Sequence, residues 1–344
     1  MDRIFTRIIV ANLILLFAVA FLRCTTPSGS GRAVKSDSVV VLTRMLKVWS
    51  LDTVIIIKKL LYDKYTVADT FLYKKAERHF QWDKIRTGLR FIDSLQWKAA
   101  QWAVLQNKNN SNGASPLVPN YRMSDYDMVE DSYGVERYQS VPLYAPGERS
   151  VPFRYGRDGS LVKLMEDTTG RDTIRIATTA FGGEWDVPRK YLKLLVDTIV
   201  FNHTVFVDRR FQIITTLERT DTEWLVRSMN PATTGLRLPP YRYATPLGMY
   251  VLQEKRERML YLQDGTTDIE GLAPYASRFC NGAYIHGIPL VDSTGLAPES
   301  HFHEYSYSLG TTPKSHMCVR VATSHAKFIF DWAPVDATLV FVIE

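Results

Sequence analysis

A series of short segments rich in β-branched and aromatic residues occupies the C-terminal part of the chain. The first two, 198–207 and 211–217, flank a polar turn at 208–210. Later segments of the same kind are 249–253, 259–262, 283–286 and 338–343. Such runs, separated by turn residues, are typical of strands because branched and aromatic side chains pack well on a pleated surface. The sequence therefore predicts a mostly β domain over residues 198–344, with a helix at 324–332.

The region from residue 38 to residue 128 has a different pattern. Apolar residues recur there at steps of three and four, which favours helices. They are Leu42, Met45, Leu46, Trp49, Phe80, Ile85, Leu89, Ile92 and Leu95. A stretch rich in Asn, Ser, Gly and Pro follows at 107–119 and indicates a loop. We therefore predict a helical region and loop over residues 38–128, with these apolar side chains in its core.

Residues 129–197 show short β-like runs separated by Pro and Gly. Segment 141–144 resembles the opening strand of bacterial SH3-like domains, and 183–195, which contains Trp185, resembles their closing strand and turn. This resemblance implies a small SH3-like β-barrel, either a wall-binding module or a spacer. The predicted fold class is thus multi-domain α+β: an N-terminal helical region, an SH3-like barrel and a C-terminal, mostly β domain.

The first 24 residues have the pattern of an export signal. Arg3 and Arg7 form a basic lead before an apolar core at 8–22 that is short for a bilayer span. Cys24 follows this core and resembles the lipidated cysteine of bacterial lipoproteins, although Arg23 stands where that signal has a small residue. A lipoprotein, an uncleaved anchor and a cleaved secretory signal remain open. All three place the protein outside the cytoplasm, in the cell envelope or periplasm.

Composition adds two expectations about partners. Residues 25–37 are rich in Ser, Gly and Thr, which predicts a flexible tether. The apolar run at 54–57 ends at Lys58 and Lys59, so we expect membrane contact only through the N-terminal lipid or signal anchor. The net charge of +6 is spread along the chain and not gathered in one block, which predicts no nucleic-acid partner.

The chain has three cysteines, and one of them lies among candidate catalytic residues. Cys318 follows Ser315 and His316, and His286 stands 32 residues before it. A cysteine nucleophile needs a base, a group that orients the base, and donors for the oxyanion, and a nearby histidine lowers the thiol pKa. This segment supplies those residue types. An arbitrary cysteine, however, is more often a small buried hydrophobe, and this is our interpretation of Cys280.

An Ile-His-Gly strand end at 285–287, followed by Ser-His-x-Cys-Val-Arg at 315–320, resembles the signature of the L,D-transpeptidase (YkuD) catalytic domain. Segment 245–250 (TPLGMY) resembles the family's Thr-Pro-x-Gly-x-Phe/Tyr strand entry. The hairpin at 205–217 and the helix after Cys318 also occur where the family has them. The resemblance covers residues 198–344.

The resemblance implies a cysteine-dependent acyltransferase that acts on peptidoglycan stem peptides and needs no cofactor or metal. It implies that Cys318 is the nucleophile and His286 the general base, with backbone N–H groups around Met317 and Cys318 as oxyanion donors. The remaining catalytic residues that it implies are His316 and Ser315. The substrate-binding residues that it implies are Arg320, Gly287, Met317 and Tyr284.

Two departures from the family pattern leave an alternative open. Met317 replaces the glycine that precedes the nucleophile, and this costs about 1–2 kcal/mol if the position needs a positive φ. The interval after His286 is also longer than usual, and we expect the extra segment, 290–308, to lie over the active site as a mobile wall. Its His301 and His303, together with His316, compete with His286 for the role of base. The alternative function is a catalytically inactive cell-wall-binding lipoprotein.

Overall fold

The computed structural model describes residues 54–96, 100–196 and 199–344. Residues 54–344 form one compact unit. The export signal, the lipidation site Cys24 and the tether lie outside the described residues. Within the described residues, no helix is both long enough and apolar enough to cross a membrane.

Two α-helices are present in the described residues, α1 (Trp82–Leu95) and α2 (Thr323–Trp332), together with short 3-10 turns at Lys108–Asn110, Arg189–Tyr191 and Glu299–His301. The strands are β1 (Ile56–Lys58), β2 (Thr70–Tyr73), β3 (Ala76–His79), β4 (Trp102–Leu105), β5 (Arg122–Met123), β6 (Val129–Glu130), β7 (Ser140–Leu143), β8 (Arg154–Arg157), β9 (Leu161–Leu164), β10 (Thr173–Thr178), β11 (Glu184–Pro188), β12 (Leu192–Leu194), β13 (His203–Asp208), β14 (Ile213–Arg219), β15 (Trp224–Pro231), β16 (Gly248–Val251), β17 (Glu254–Leu262), β18 (Ile269–Cys280), β19 (Ala283–His286), β20 (Leu290–Val291), β21 (Val319–Arg320) and β22 (Thr338–Ile343).

The largest sheet has six strands in the order β1-β15-β14-β13-β22-β16. Its two faces belong to two different cores, because side chains alternate along a strand. On β13, Phe206 packs in the core that contains α1. Val205 and Val207 pack on the opposite face with α2 and the second sheet.

Helix α1 covers the first face through one apolar stripe. Its buried residues Ile85, Leu89 and Ile92 recur at steps of three and four. Gly88 lies in the same stripe, and a Cβ there would stand 2.8 Å from the ring of Phe206. The small residue therefore allows the helix to approach the sheet closely.

The second sheet carries the site described below. It has the strand order β17-β18-β19-β21, and β20 pairs with β18. Its core residues, among them Ile285, Val319 and Phe279, pack against Val205 and Val340 of the large sheet. Helix α2 adds Ala326 and Ile329 to the same core, so it packs in the layer that supports β19 and β21.

A third, antiparallel sheet has the order β11-β10-β9-β4-β12. Its alternating pattern is clear on β10, where Ile174 and Ile176 are buried and their neighbours are half-exposed. This confirms the β character of residues 129–197. The sheet also takes in β4, which precedes that segment. The SH3-like barrel stays a prediction.

The predicted helical region is wrong for most of the residues that the structure describes between 54 and 128. Only α1 is an α-helix there, and its Ile85, Leu89 and Ile92 do form a core. Ile56 and Ile57 instead lie on β1, which pairs in parallel with β15. The physical reason is that an edge position was open beside β15, and consecutive β-branched residues suit a strand.

The predicted hairpin and the helix after Cys318 are confirmed. β13 and β14 pair from His203↔Glu218 to Asp208↔Ile213, and Asp208 stabilises the turn by accepting hydrogen bonds from the backbone N–H groups of Arg210 and Phe211. Helix α2 begins at Thr323 and ends at Trp332.

Candidate active site

Cys318 and His286 lie on neighbouring parallel strands. The register pairs Ile285 with Val319 and His286 with Arg320. Ile285 and Val319 face the core, so alternation places the residues on either side of them on the opposite face. These residues are Tyr284, His286, Cys318 and Arg320, and all four line a cleft of about 1210 Å³. The cleft is larger than the ~300–1,000 Å³ of an ordinary small-molecule pocket, which suits a peptide.

The turn that leads into Cys318 is held by hydrogen bonds on both sides. The Ser315 hydroxyl donates to the Cys318 carbonyl oxygen, and Ser315 is buried. The Thr245 hydroxyl donates to the Met317 carbonyl oxygen at 2.7 Å and accepts the Gly235 N–H at 2.8 Å. Ser315 therefore shapes the turn, and its hydroxyl is engaged with the backbone.

Met317 has no positive φ, unlike several other non-glycine residues of the chain. The backbone strain that a side chain would suffer in that conformation is absent. Close approach is accommodated at Gly235 instead, where a Cβ would stand 2.2 Å from the Tyr243 carbonyl oxygen and 2.9 Å from the Met317 Cα. The turn therefore accepts methionine at position 317, because the residue that must be small is Gly235, on the segment packed against it.

Backbone N–H groups at the turn are available to an oxyanion. Among the described residues, neither the Met317 nor the Cys318 N–H has a hydrogen-bond acceptor. An N–H without an acceptor in a cleft is ready to donate to a developing negative charge.

The Cys318 thiol is half-buried, and its Sγ lies 3.6 Å from the Gly282 carbonyl oxygen. Burial raises the pKa of the thiol to about 11, although the Tyr284 backbone N–H and the Arg320 charge act in the opposite direction. Among the described residues, no histidine is hydrogen-bonded to Sγ. The expectation of a thiol pKa lowered by histidine is therefore not met, and the thiol is protonated at neutral pH.

His286 is buried and held in one tautomer. Its Nδ1 lies 2.6 Å from the Gly287 carbonyl oxygen, which can only accept a hydrogen bond. Nδ1 therefore carries the proton, and Nε2 is left with a lone pair. Burial lowers the pKa of His286 to about 4, with a further lowering from the Arg320 charge. The imidazole is neutral at pH 7 and can accept a proton at Nε2.

His316 lies at the rim of the cleft and points to a different partner. Its Nε2 is 3.0 Å from a carboxylate oxygen of Asp264, and both side chains are largely exposed. His301 and His303 do not line this cleft. Of the four candidate histidines, His286 is the one buried on the strand face of Cys318.

Arg320 has an unusual environment. Its Nε is buried without a hydrogen-bond partner, and no carboxylate among the described residues forms an ion pair with it. Burial lowers the pKa of the guanidinium, but an arginine remains charged at neutral pH. The cleft therefore presents a cation that lacks a counter-ion in the described part of the chain.

The segment 290–308 is fastened to the body of the protein. Glu304 accepts hydrogen bonds from Lys64 at 2.8 Å and from the Ser324 N–H at 3.0 Å, and the His303 carbonyl oxygen accepts the Thr323 hydroxyl at 2.6 Å. Only Val291 of this segment lines the cleft. The predicted position of this segment over the site is wrong beyond Val291, because these contacts hold residues 303 and 304 against the start of α2. Its predicted mobility stays a prediction.

Two further observations concern other candidate residues. Cys280 is fully buried in the core, burial raises its pKa to about 12, and both it and Cys318 are free thiols. Within the described residues, no group of three His, Cys, Asp or Glu is arranged to hold a metal ion.

Sequence reasoning missed Lys108, which lines the cleft beside Tyr284 although it belongs to the region before residue 128. No local pattern marked it, since the contact joins residues 176 positions apart in sequence.

Comparison with known proteins finds a similarity in the C-terminal region. Residues 202–342 match the family model of the L,D-transpeptidase catalytic domain, YkuD. No curated protein matches the sequence.

Similar solved structures include an L,D-transpeptidase from Mycobacterium smegmatis, with 17% identity and a TM-score of 0.33 over 55% of this chain and 93% of that chain. L,D-transpeptidase 3 from Mycobacterium tuberculosis, in complex with a faropenem-derived adduct, has 15% identity and a TM-score of 0.33 over 55% of this chain and 93% of that one. A fused Zn-dependent amidase/peptidase and peptidoglycan-binding protein from Clostridium acetobutylicum has 17% identity and a TM-score of 0.28 over 41% of this chain, and this chain spans about half (51%) of it. The match to the family model of the L,D-transpeptidase catalytic domain, YkuD, covers residues 202–342 and therefore contains both Cys318 and His286.

Proposed function

We propose that the protein is a cysteine-dependent L,D-transpeptidase that acts on peptidoglycan stem peptides through an acyl-enzyme on Cys318. The observation that carries this proposal is the position of Cys318 and His286 on one face of two paired strands, in a peptide-sized cleft. The match of residues 202–342 to the family supports the choice of reaction.

In the first step, Cys318 Sγ attacks the carbonyl carbon of the third, L-centre residue of a stem tetrapeptide. The thiol proton passes to His286 Nε2, and the carbonyl oxygen takes the negative charge. The Met317 and Cys318 N–H groups donate to this oxyanion, since neither has an acceptor among the described residues. The tetrahedral intermediate then expels the terminal D-Ala, whose amine receives the proton from His286.

Burial makes a neutral pair the resting state of the site. The thiol pKa of about 11 and the imidazole pKa of about 4 both disfavour the charged forms. Attack avoids a long-lived thiolate, because the charge moves from sulfur to the oxyanion as the C–S bond forms. A bound peptide that displaces water from the cleft strengthens this preference for concerted proton transfer.

Arg320 is assigned to the carboxylate of the leaving D-Ala. It follows Cys318 by two residues on one strand face, a separation of ~6.6 Å along a strand. The carboxylate of the leaving residue stands about one residue length from the attacked carbonyl. An arginine without a counter-ion in the described part of the chain gains an ion pair when this carboxylate binds.

A second reactant resolves the acyl-enzyme. An amine of another stem peptide gives a cross-link, water gives L,D-carboxypeptidase trimming, and a protein amine gives attachment. Each attacks the thioester carbon, and the Cys318 sulfur leaves and recovers a proton.

Location and domain organisation form a second part of the proposal. We place the protein in the cell envelope, exported by residues 1–24 and anchored through a lipid on Cys24. The mass of the N-terminal peptide from membrane fractions tests this: a diacylglyceryl mass on Cys24 supports the anchor, and an unmodified or absent Cys24 contradicts it. Domain boundaries at 128/129 and 197/198 stay predictions.

The experiment compares D-Ala release from a stem tetrapeptide by the wild type, Cys318→Ala and Cys280→Ala. We expect Cys318→Ala to abolish release with the fold intact. Cys280→Ala serves as the matched control and should retain activity with a stability loss of about 1–2 kcal/mol from the cavity. Full activity of Cys318→Ala, or no release by the folded wild type, would contradict the proposal and favour a non-catalytic wall-binding role.

A further inference from the structure

Lys108 reaches the cleft from outside the segment that matches the catalytic family. It opens the short 3-10 turn Lys108–Asn110, between β4 and the long loop that follows. Its Nζ donates to the Tyr284 hydroxyl at 2.8 Å and to a Glu254 carboxylate oxygen at 2.9 Å. Tyr284 is the residue that neighbours Cys318 across the paired strands. Lys108, which precedes the catalytic-domain match in the sequence, therefore lines the same cleft as Cys318.

Lys108 is held in place by a buried ionic anchor. Asp158, fully buried, accepts the Asn107 N–H at 2.8 Å, the Asn281 N–H at 3.1 Å and an Arg278 N–H at 2.6 Å. This one carboxylate joins the residue before Lys108 to both β18 and the turn that follows it. Loss of Asp158 would leave the buried Arg278 charge without its buried ion-pair partner. Because Asp158 also binds the Asn107 N–H, the same carboxylate fixes the backbone that leads into Lys108.

The charges at this corner of the cleft do not balance. Three cations, Lys108, Arg256 and Arg278, share two carboxylates, Glu254 and Asp158. Lys108 and Arg256 both line the cleft. An ammonium has three N–H donors, and two of those on Lys108 are used, while the third has no partner among the described residues.

We propose that Lys108 is a specificity-determining residue that binds a carboxylate of the peptide substrate. The assignment rests on the proposed function, since it names a recognition element of the same cleft. The unused N–H donor and the surplus positive charge both point to an anionic ligand group. Arg320 lies beside His286 on one side of the sulfur, and Lys108 contacts Tyr284 on the other. Lys108 and Arg320 thus flank the nucleophile, among cleft-lining cations that also include Arg242, Arg256 and Lys314.

Two carboxylates of a stem tetrapeptide can supply this group. One is on the side chain of the third residue, which Lys108 would bind while Arg320 binds the terminal carboxylate; the other is the terminal carboxylate of the fourth residue, which Lys108 would then bind in place of Arg320. The experiment uses three synthetic tetrapeptides, one with both carboxylates free, one with a carboxamide on the third side chain and one with a C-terminal amide. Dissociation constants are measured by calorimetry with the Cys318→Ala protein as the parent, because it binds without turnover.

We expect Lys108→Met to weaken binding of the peptide with both carboxylates about tenfold, the effect of one charge-assisted hydrogen bond. Lys108→Arg should recover most of the loss, because it retains the charge. The loss should vanish with the amidated peptide that lacks the contacted carboxylate, which identifies the source. Lys327→Met, which removes a charge from an exposed ion pair on α2, is the matched control and should bind all peptides like the parent.

An equal loss with all three peptides would show that Lys108 acts only by positioning Tyr284, and would overturn the proposal. Normal binding by Lys108→Met would overturn it as well. Failure of the parent to bind any of the peptides would instead contradict the proposed function itself. Thermal unfolding of each variant is measured in parallel, and Lys108→Arg, the smaller change, decides the outcome if Lys108→Met does not fold.

Discussion

Replacement of Arg320 by methionine should raise the pKa of the Cys318 thiol. The guanidinium favours the thiolate through its charge. At ~6.6 Å along the strand and an effective dielectric constant of ~20, the interaction is worth about 2.5 kcal/mol. In the open cleft solvent raises the effective dielectric constant, and at ~40 the same charge pair is worth about 1.3 kcal/mol, or about one pKa unit. The rate of Cys318 alkylation at pH 8 should therefore fall about tenfold in Arg320→Met.

The assay follows iodoacetamide labelling from pH 7 to pH 11, with peptide mass spectrometry to assign the label to Cys318. The wild-type profile should rise toward a pKa of about 11, far above the ~8.5 of a free cysteine. Cys280 is fully buried and should stay unlabelled. Lys327→Met, with the same change of net charge, should match the wild type. An unchanged profile in Arg320→Met would refute the electrostatic argument, and a wild-type inflection below pH 8 would refute the neutral resting pair.

Three further predictions concern the base, the anchored segment and the turn. His286→Ala should lower D-Ala release by about 10²–10⁴-fold, and His316→Ala only slightly because His316 is exposed beside Asp264; the reverse order would exchange their roles. Burial raises the pKa of Glu304, but hydrogen bonds from Lys64 and Ser324 outweigh it, so the pKa is lowered in the folded protein. The ionised carboxylate therefore stabilises the fold above the unfolded-state pKa of ~4.3. This stabilisation is lost as the pH falls through the lower folded-state pKa. Glu304→Gln should cost about 0.5–1 kcal/mol at pH 7 and progressively less in chemical unfolding as the pH falls below ~4.3, and a cost that does not change with pH would contradict this. Gly235→Ala should cost about 2 kcal/mol or more and reduce turnover, since its Cβ would stand 2.2 Å from a carbonyl oxygen; wild-type stability would show that the turn has room.

The features that sequence predicted correctly depend on local patterns. The β13–β14 hairpin follows from alternating side chains around an Asp-containing turn, and α2 follows from helical spacing after Cys318. The position of His286 near Cys318 came from the spacing of a family motif. Such patterns are contained in short windows of the chain, so they can be recognised without tertiary contacts.

The features that the sequence did not predict depend on contacts between residues that are far apart in the chain. Ile56 and Ile57 lie on a strand because β15 offers an open edge far along the chain. The high thiol pKa of Cys318 arises from burial in the assembled cleft, and no motif reports burial. Lys108 reaches the site through contacts with Tyr284 and Glu254, which its own segment does not reveal.

Covalent capture of the nucleophile tests the central claim most directly. The protein is incubated with a carbapenem, which acylates an active enzyme of this type, and its intact mass and peptides are measured. Acylation by the β-lactam carbonyl should add the full mass of one carbapenem to Cys318, and Cys318→Ala should gain none. An unmodified protein, or an adduct on any residue other than Cys318, would contradict the assignment of Cys318 as the nucleophile.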